Sequence, residues 1–172
     1  EIQMIGQDPH SFLNPYLRIE QLIAEPLEVF RIVPRSRLKE RVRELAGLVG
    51  LEEGLLDKRP GQLSGGQAQR AAIARALALT PKILICDEIL SSLDSPRQMQ
   101  ILELLKTLKP KLDLTLLFIS HDLSAVAYLC EDIAVFHEGR LVELSATADF
   151  LRSPRHPYSR RFLEAARRTP LS

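Results

Sequence analysis

Residues 63–94 read LSGGQAQRAAIARALALTPKILICDEILSSLD. A glycine-rich turn opens a helix, an apolar strand ends in two adjacent carboxylates, and a polar loop leads to an aspartate. Ser64, Gly65 and Gly66 carry no large side chains, so they leave backbone N–H groups bare where a helix begins and its dipole favours an anion. That combination predicts a phosphate seat. Good helix formers follow over 67–79 with an apolar stripe at Ala72, Ile73, Ala76 and Leu77, closed off by Pro81. Ile83, Leu84, Ile85 and Cys86 then form a short continuous apolar run, the pattern of a parallel strand buried on both faces. Ligands of open parallel sheets collect beyond the carboxyl ends of the strands, which is where Asp87 and Glu88 stand. Neighbouring residues of a strand point to opposite sides, so the two carboxylates have different jobs. One suits Mg²⁺, usually through water, and the other suits an attacking water.

LSGGQxQR, ILICDE and SSLD, in this order and spacing, resemble the ATPase subunit of an ATP-binding cassette (ABC) transporter. The resemblance implies an α/β fold of the P-loop NTPase kind, with a mainly parallel sheet, flanking helices and an all-helical subdomain near residues 17–80. It implies ATP and Mg²⁺ as ligands. Two such subunits pair head to tail, and the glycine turn of one closes over ATP held by the other. Ser64, Gly65, Gly66, Gln67 and Asp94 are accordingly the expected ATP-binding residues, Asp87 a metal residue and Glu88 the catalytic base.

Upstream, Ile2, Met4 and Ile5 read as the end of a strand, and Gly6-Gln7-Asp8-Pro9 as a break. This resembles the family's Q-loop, which assigns Gln7 to the Mg²⁺ and the attacking water and the loop beyond it to the membrane subunits. The longer string QDPHSFLNP is similar to the form found in peptide and nickel importers, and Asn14-Pro15 makes a turn on local grounds alone. Residues 17–61 read as a helical insertion. Leu38, Val42, Leu45, Ala46 and Val49 recur at helical spacing, Ser36 is placed to cap them, and Gly47, Gly50 and Gly54 punctuate the end.

Downstream, Ser95-Pro96 reads as a cap and first-turn pair for a helix with Ile101, Leu102, Leu104, Leu105 and Leu108 on its core side, ended by Lys109-Pro110. A second buried strand is expected over 112–119, with Ser120-His121-Asp122 at its carboxyl end. His121 matches the family's switch histidine, which bonds the γ-phosphate and holds water and base in line. A helix over 123–130 and strands over 133–136 and 140–144 around the Glu138-Gly139 turn follow, similar to the last strands of the nucleotide-binding fold. HPYS, residues 156–159, resembles the HPYT motif of peptide-importer ATPases; locally it is a Pro-rich loop entering a short basic helix.

The 172 residues suit one partial ABC ATPase domain over 1–150 and a basic C-terminal extension over 151–172. The extension has six arginines against Glu164 alone, a charge of +5, which leaves −4 for the remainder of a chain whose net charge is +1. Its expected state is solvated, since no groove-reading or aromatic-interleaved module accompanies it and no nucleic-acid partner is expected. There is no run of about eighteen apolar residues and no signal-peptide pattern. Cys86 and Cys130 read as reduced core thiols, and the four histidines lack ligand spacing.

No glycine in the chain is followed by lysine, so the P-loop signature is absent, and the sequence starts at Glu1 inside an expected strand. The expectation is a piece of a longer polypeptide whose front part is missing. Ile89-Leu90 is bulkier than the family's usual pair after the base, and Ser92 stands where Ala is more usual. The leading functional expectation is an ABC importer ATPase for peptides, dipeptides or nickel at the cytoplasmic face of the inner membrane. Its partners would be transmembrane permease subunits, a second ATPase subunit and, indirectly, a solute-binding protein. Two alternatives stay open: a soluble ABC-type ATPase acting on nucleic acid or an enzyme complex, and a non-catalytic fragment.

Overall fold

The computed structural model describes residues 2–168 and divides into two compact units, Glu1–Ile119 and Ser120–Ser172. The first unit runs β1 (Ile2–Ile5), α1 (Pro9–Phe12), α2 (Ile19–Val29), α3 (Leu38–Leu48), α4 (Gly65–Leu77), β2 (Ile83–Asp87), α5 (Ser95–Lys111) and β3 (Thr115–Ile119). Its sheet has the order β1-β2-β3 and is parallel throughout.

Burial on the central strand alternates. Leu84 and Cys86 are fully buried, whereas Ile83 and Ile85 are half-buried. The register explains this, because partners in a parallel ladder share a face. Ile5, Leu84 and Cys86 lie on the packed side, and Ile2, Met4, Leu117 and Ile119, each about half exposed, lie with Ile83 and Ile85 on the other. Burial on both faces, expected from the continuous apolar run, therefore holds for one face only.

The third strand also departs from expectation. It begins at Thr115, because residues 112–114 close α5 instead: Leu112 N–H donates to Leu108, Asp113 takes a left-handed φ of 51°, and Leu114 N–H donates to Lys109 at 2.9 Å. Nor is it a buried strand, since Thr115, Leu117 and Ile119 are exposed. Helix α5 passes through Pro110 and ends at Lys111, and its cap is Asp94, whose Oδ1 accepts from Arg97 N–H at 3.0 Å, with Ser95 already inside the helix.

Helix α4 is the hub of the helical part. Ala68, Ala71, Ala72, Ile73, Ala74, Ala76 and Leu77 are all buried, more than a stripe, and the small alanines let α1, α2, α3 and β1 approach together. Arg75 reaches Glu25 on α2 at 2.7 Å, and the start of α2 is tied to the chain ahead of α4 by Ile19 N–H to Lys58 and Glu20 N–H to Leu56, both 2.9 Å. Ser36 does not cap α3; it sits within a single 3₁₀ turn, and the cap position is Arg37, with no side-chain bond. Asn14 makes the expected turn, its Oδ1 accepting from Tyr16 N–H at 3.0 Å.

The second unit comprises α6 (Leu123–Leu129), β4 (Asp132–His137), β5 (Arg140–Ala146), α7 (Thr147–Arg152) and α8 (Pro157–Arg168). The strands form an antiparallel hairpin, a sheet separate from the parallel one, turned at Glu138 and Gly139 with φ of 49° and 73°. Phe150 and Leu163 meet Leu123, Ile133 and Val135 in its core. The basic stretch is thus no solvated extension: α8 is the expected helix, but it buries Leu163. Two of its arginines donate to backbone carbonyls, Arg160 to Pro154 at 3.0 Å and Arg167 to Leu151 at 2.7 Å. Cys86 and Cys130 are thiols outside any disulfide, and no helix among the described residues is long and apolar enough to cross a membrane.

Candidate active site

The parallel register fixes which residues leave the sheet together. Ile5 pairs with Cys86 and Asp87 with Ile119, so the three strands end at one edge. Gln7, two residues past β1, shares that edge with Asp87 and Glu88; Gln7 is exposed and the two carboxylates are half-buried.

Glu88 has φ of 51°, a left-handed conformation that costs a non-glycine residue roughly 1 kcal/mol. The surroundings enforce it. Its N–H donates to the Ile119 carbonyl at 3.0 Å, and its carbonyl accepts the Ser91 N–H at 3.1 Å and the Ser91 hydroxyl at 2.8 Å. Strain held by three hydrogen bonds at a strand tip is the kind of outlier that clusters at functional positions. Ile89 and Leu90, the bulky pair, are buried beneath the loop, which Leu93 N–H closes onto Leu90 at 3.0 Å.

The glycine turn is built by a capping box. Ser64 Oγ accepts from Gln67 N–H at 3.4 Å, and Gln67 Oε1 accepts from Ser64 N–H at 2.9 Å. Gly65 and Gly66 are the first residues of α4, where helix geometry provides no acceptor for their N–H groups. The loop leading into α5 lies close over Gly65, and the first turn of α5 lies beside Gly66. A Cβ on Gly65 would lie 3.1 Å from Leu93 Cδ2, and one on Gly66 would lie 3.5 Å from Arg97 Cδ. Glycine therefore serves close packing within the chain. Asp94 stands beside this contact, with Oδ1 capping α5 and Oδ2 2.8 Å from Arg97 Nη1.

The first unit thus gathers Gln7, Asp87 and Glu88 at one edge, and joins 64–67 to Asp94 through Leu93 and Arg97. His121 stands in the second unit, exposed, two residues along the chain from Ile119. Asp122 beside it caps α6, accepting from Ser124 N–H at 2.8 Å and Ala125 N–H at 3.3 Å, and donates its own N–H to Ser120 Oγ at 3.0 Å. Among the described residues there is no group of three or more His, Cys, Asp or Glu side chains suited to a metal. Nucleotide-bound Mg²⁺ needs only one or two protein oxygens besides phosphates and water. Gln7 and Asp87 are residues at this edge that carry side-chain oxygens of that kind.

The HPYS stretch has a structural anchor. Glu143, buried on β5, accepts the N–H groups of Arg155 and His156, each at 2.9 Å, and Tyr158 stacks on His137 with ring centroids 3.9 Å apart. Burial works to raise the Glu143 pKa, but the two N–H bonds, the Ser159 hydroxyl and the Arg155 charge outweigh it and hold the group below the usual carboxylate range.

Sequence reading passed over Leu93, Arg97 and Gln98. Leu93 and Arg97 matter through contacts with the glycine turn thirty residues away, for which no local pattern exists. The Gln98 amide Nε2 donates to the carbonyls of Leu90 at 3.1 Å and Leu93 at 3.0 Å.

Residues 1–91 match the family model described as ABC transporter. The chain is 46% identical over 167 residues to a putative peptide import ATP-binding protein of Brucella abortus (strain 2308), covering 97% of this chain and 50% of that protein. It is 42% identical to the oligopeptide transport ATP-binding protein OppF of Lactococcus lactis subsp. lactis (strain IL1403), covering 96% and 52%, and 42% identical to OppF of Escherichia coli (strain K12), covering 96% and 50%. The chain spans about half the length of these curated relatives. Among solved structures it resembles cbiO1 from Clostridium perfringens, part of the ABC transporter complex cbiONQ, with a TM-score of 0.79 and 30% identity over 88% of this chain and 59% of that one.

Proposed function

The chain belongs to the ABC transporter family, and from that premise we propose that it is part of the ATP-hydrolysing subunit of a peptide importer. The relatives named for peptide and oligopeptide import support the solute class. The observation that carries the reading is the shared strand edge, where Gln7, Asp87 and Glu88 emerge side by side with the Glu88 backbone locked.

In this reading Glu88 accepts the proton of the attacking water and orients it. Asp87 and Gln7 hold Mg²⁺, which supplies charge neutralisation at the phosphates when bound. His121 contacts the γ-phosphate. Ser64, Gly65, Gly66, Gln67 and Asp94 act in the opposite sense, covering a nucleotide bound by a second, head-to-tail ATPase subunit. The subunit sits peripherally at the cytoplasmic face of the inner membrane against transmembrane permease subunits, which a solute-binding protein feeds. The 172 residues contain no Gly-Lys-Ser/Thr sequence with which to cradle phosphates, so hydrolysis belongs to the full-length subunit.

The test is Glu88→Gln in the full-length subunit with its partners. Removing a general base costs about 10²- to 10⁴-fold, with nucleotide binding retained. Wild-type turnover from that variant would remove Glu88 from the role.

A further inference from the structure

Gln98 lies outside every motif discussed above, in the first turn of α5, yet its side chain adds two hydrogen bonds to the loop between Glu88 and Asp94. Its Nε2 donates to Leu90 at 3.1 Å and to Leu93 at 3.0 Å. Both acceptors are carbonyl oxygens, so only the NH₂ end of the amide can face them, and both of its hydrogens are used. The side chain is half-buried, which strengthens such bonds relative to water.

What these bonds hold is specific. Leu90 O lies two residues beyond Glu88, whose own carbonyl is gripped by Ser91. Leu93 O lies one residue before Asp94, and the Leu93 side chain lies over Gly65, where an added Cβ would come within 3.1 Å of it. One amide therefore braces the loop at the end that carries the base and at the end that leans on the glycine turn.

Resting on the function proposed above, we infer that Gln98 is a positioning residue for ATP hydrolysis. It touches no reacting atom. It sets the spacing between Glu88, which serves one nucleotide, and the turn of Gly65 and Gly66, which serves the nucleotide on the other subunit. Small misplacements of positioned groups lower turnover steeply while leaving binding intact.

The experiment uses the full-length ATPase with its partner subunits and expresses turnover per bound non-hydrolysable ATP analogue, so misfolded protein does not count. Gln98→Leu keeps the bulk and removes both donors; its kcat falls about tenfold and its KM for Mg-ATP stays within about twofold. Gln98→Glu keeps the shape, but as a carboxylate it has no hydrogen to give, and as the acid it has one. At about pH 7.5 it is the carboxylate, so its kcat falls at least as far as that of Gln98→Leu, with KM for Mg-ATP again within about twofold.

If Gln98→Leu keeps kcat within twofold while Glu88→Gln abolishes it, the inference fails and the assigned function stands. If neither substitution alters kcat, the assigned function fails first. If Gln98→Leu does not fold, Gln98→Glu decides: a kcat within about twofold of wild type overturns the positioning role.

Discussion

The backbone N–H of Glu88 donates to the carbonyl of Ile119 at 3.0 Å, one residue beyond the last register pair of β2 and β3. The ladder thus continues into the residue that leaves it, and holds that residue in a left-handed conformation. The Glu88 backbone is held by the sheet as well as by its loop.

Gly65 and Gly66 respond differently to alanine. At Gly65 the new methyl group meets Leu93 at 3.1 Å, tighter than ordinary contact, whereas at Gly66 it meets Arg97 at a comfortable 3.5 Å. Gly66→Ala is expected to be neutral or to stabilise the fold by about 0.4–1 kcal/mol through the unfolded chain. Gly65→Ala is expected to destabilise by about 1 kcal/mol. Thermal denaturation of both variants checks the order. Under the proposed function both are also expected to lower ATP turnover of the intact transporter, because each adds bulk at the turn proposed to cover the nucleotide.

Glu143 makes stability depend on acid. Its folded pKa lies below its unfolded value, so its contribution is fully present above the unfolded value of about 4.3 and is lost as pH falls through the folded value. Glu143→Gln lacks the charge. Its stability deficit against wild type, read by urea denaturation, is expected at pH 7 and narrows as the solution is acidified below about pH 4. Glu143→Ala leaves the N–H groups of Arg155 and His156 without their acceptor and costs about 1–3 kcal/mol.

Leu163→Ala tests whether α8 belongs to the core of the second unit. Leu163 is 4% exposed and packs with Phe150. Its truncation is expected to cost about 2–5 kcal/mol in denaturant unfolding. An exposed helix would lose almost nothing.

The 172 residues are expected to bind ATP weakly or not at all, since none of their glycines precedes a lysine. Calorimetric titration of this chain beside the full-length subunit measures the difference. Micromolar, Mg²⁺-dependent binding by the chain alone would contradict the division of labour between two subunits.

Much of the fold was legible because local chemistry and global packing agree at the decisive points. Ser64 with Gln67 builds the capping box, the apolar run at 83–86 is the central strand, and Glu138-Gly139 turns the hairpin. Misreadings fell where two rules competed. Leu112 and Leu114 look like strand, but the left-handed Asp113 and the carbonyls of α5 claim them for a helix cap. Ser95-Pro96 looks like a cap, yet Asp94 accepts more strongly one residue earlier. The basic stretch at 151–168 reads by charge as solvated, whereas Phe162 and Leu163 give α8 a side to bury. In the site, Asp87 and Glu88 announce themselves by their place after an apolar run. The contacts of Leu93 and Arg97 with the glycine turn have no one-dimensional signature, because they depend on how α5 lies against α4, and those of Gln98 depend on how the loop folds back over the start of α5.

The uncovered side of the parallel sheet has a practical cost. Ile2 and Met4 on β1 and Leu117 and Ile119 on β3 flank the half-buried Ile83 and Ile85 of β2 on one water-repelling face, the sort of surface on which protein molecules stick to one another as concentration rises. Purified samples of these 172 residues will scatter light when concentrated, and replacing Met4 and Leu117 with lysine will keep them clear.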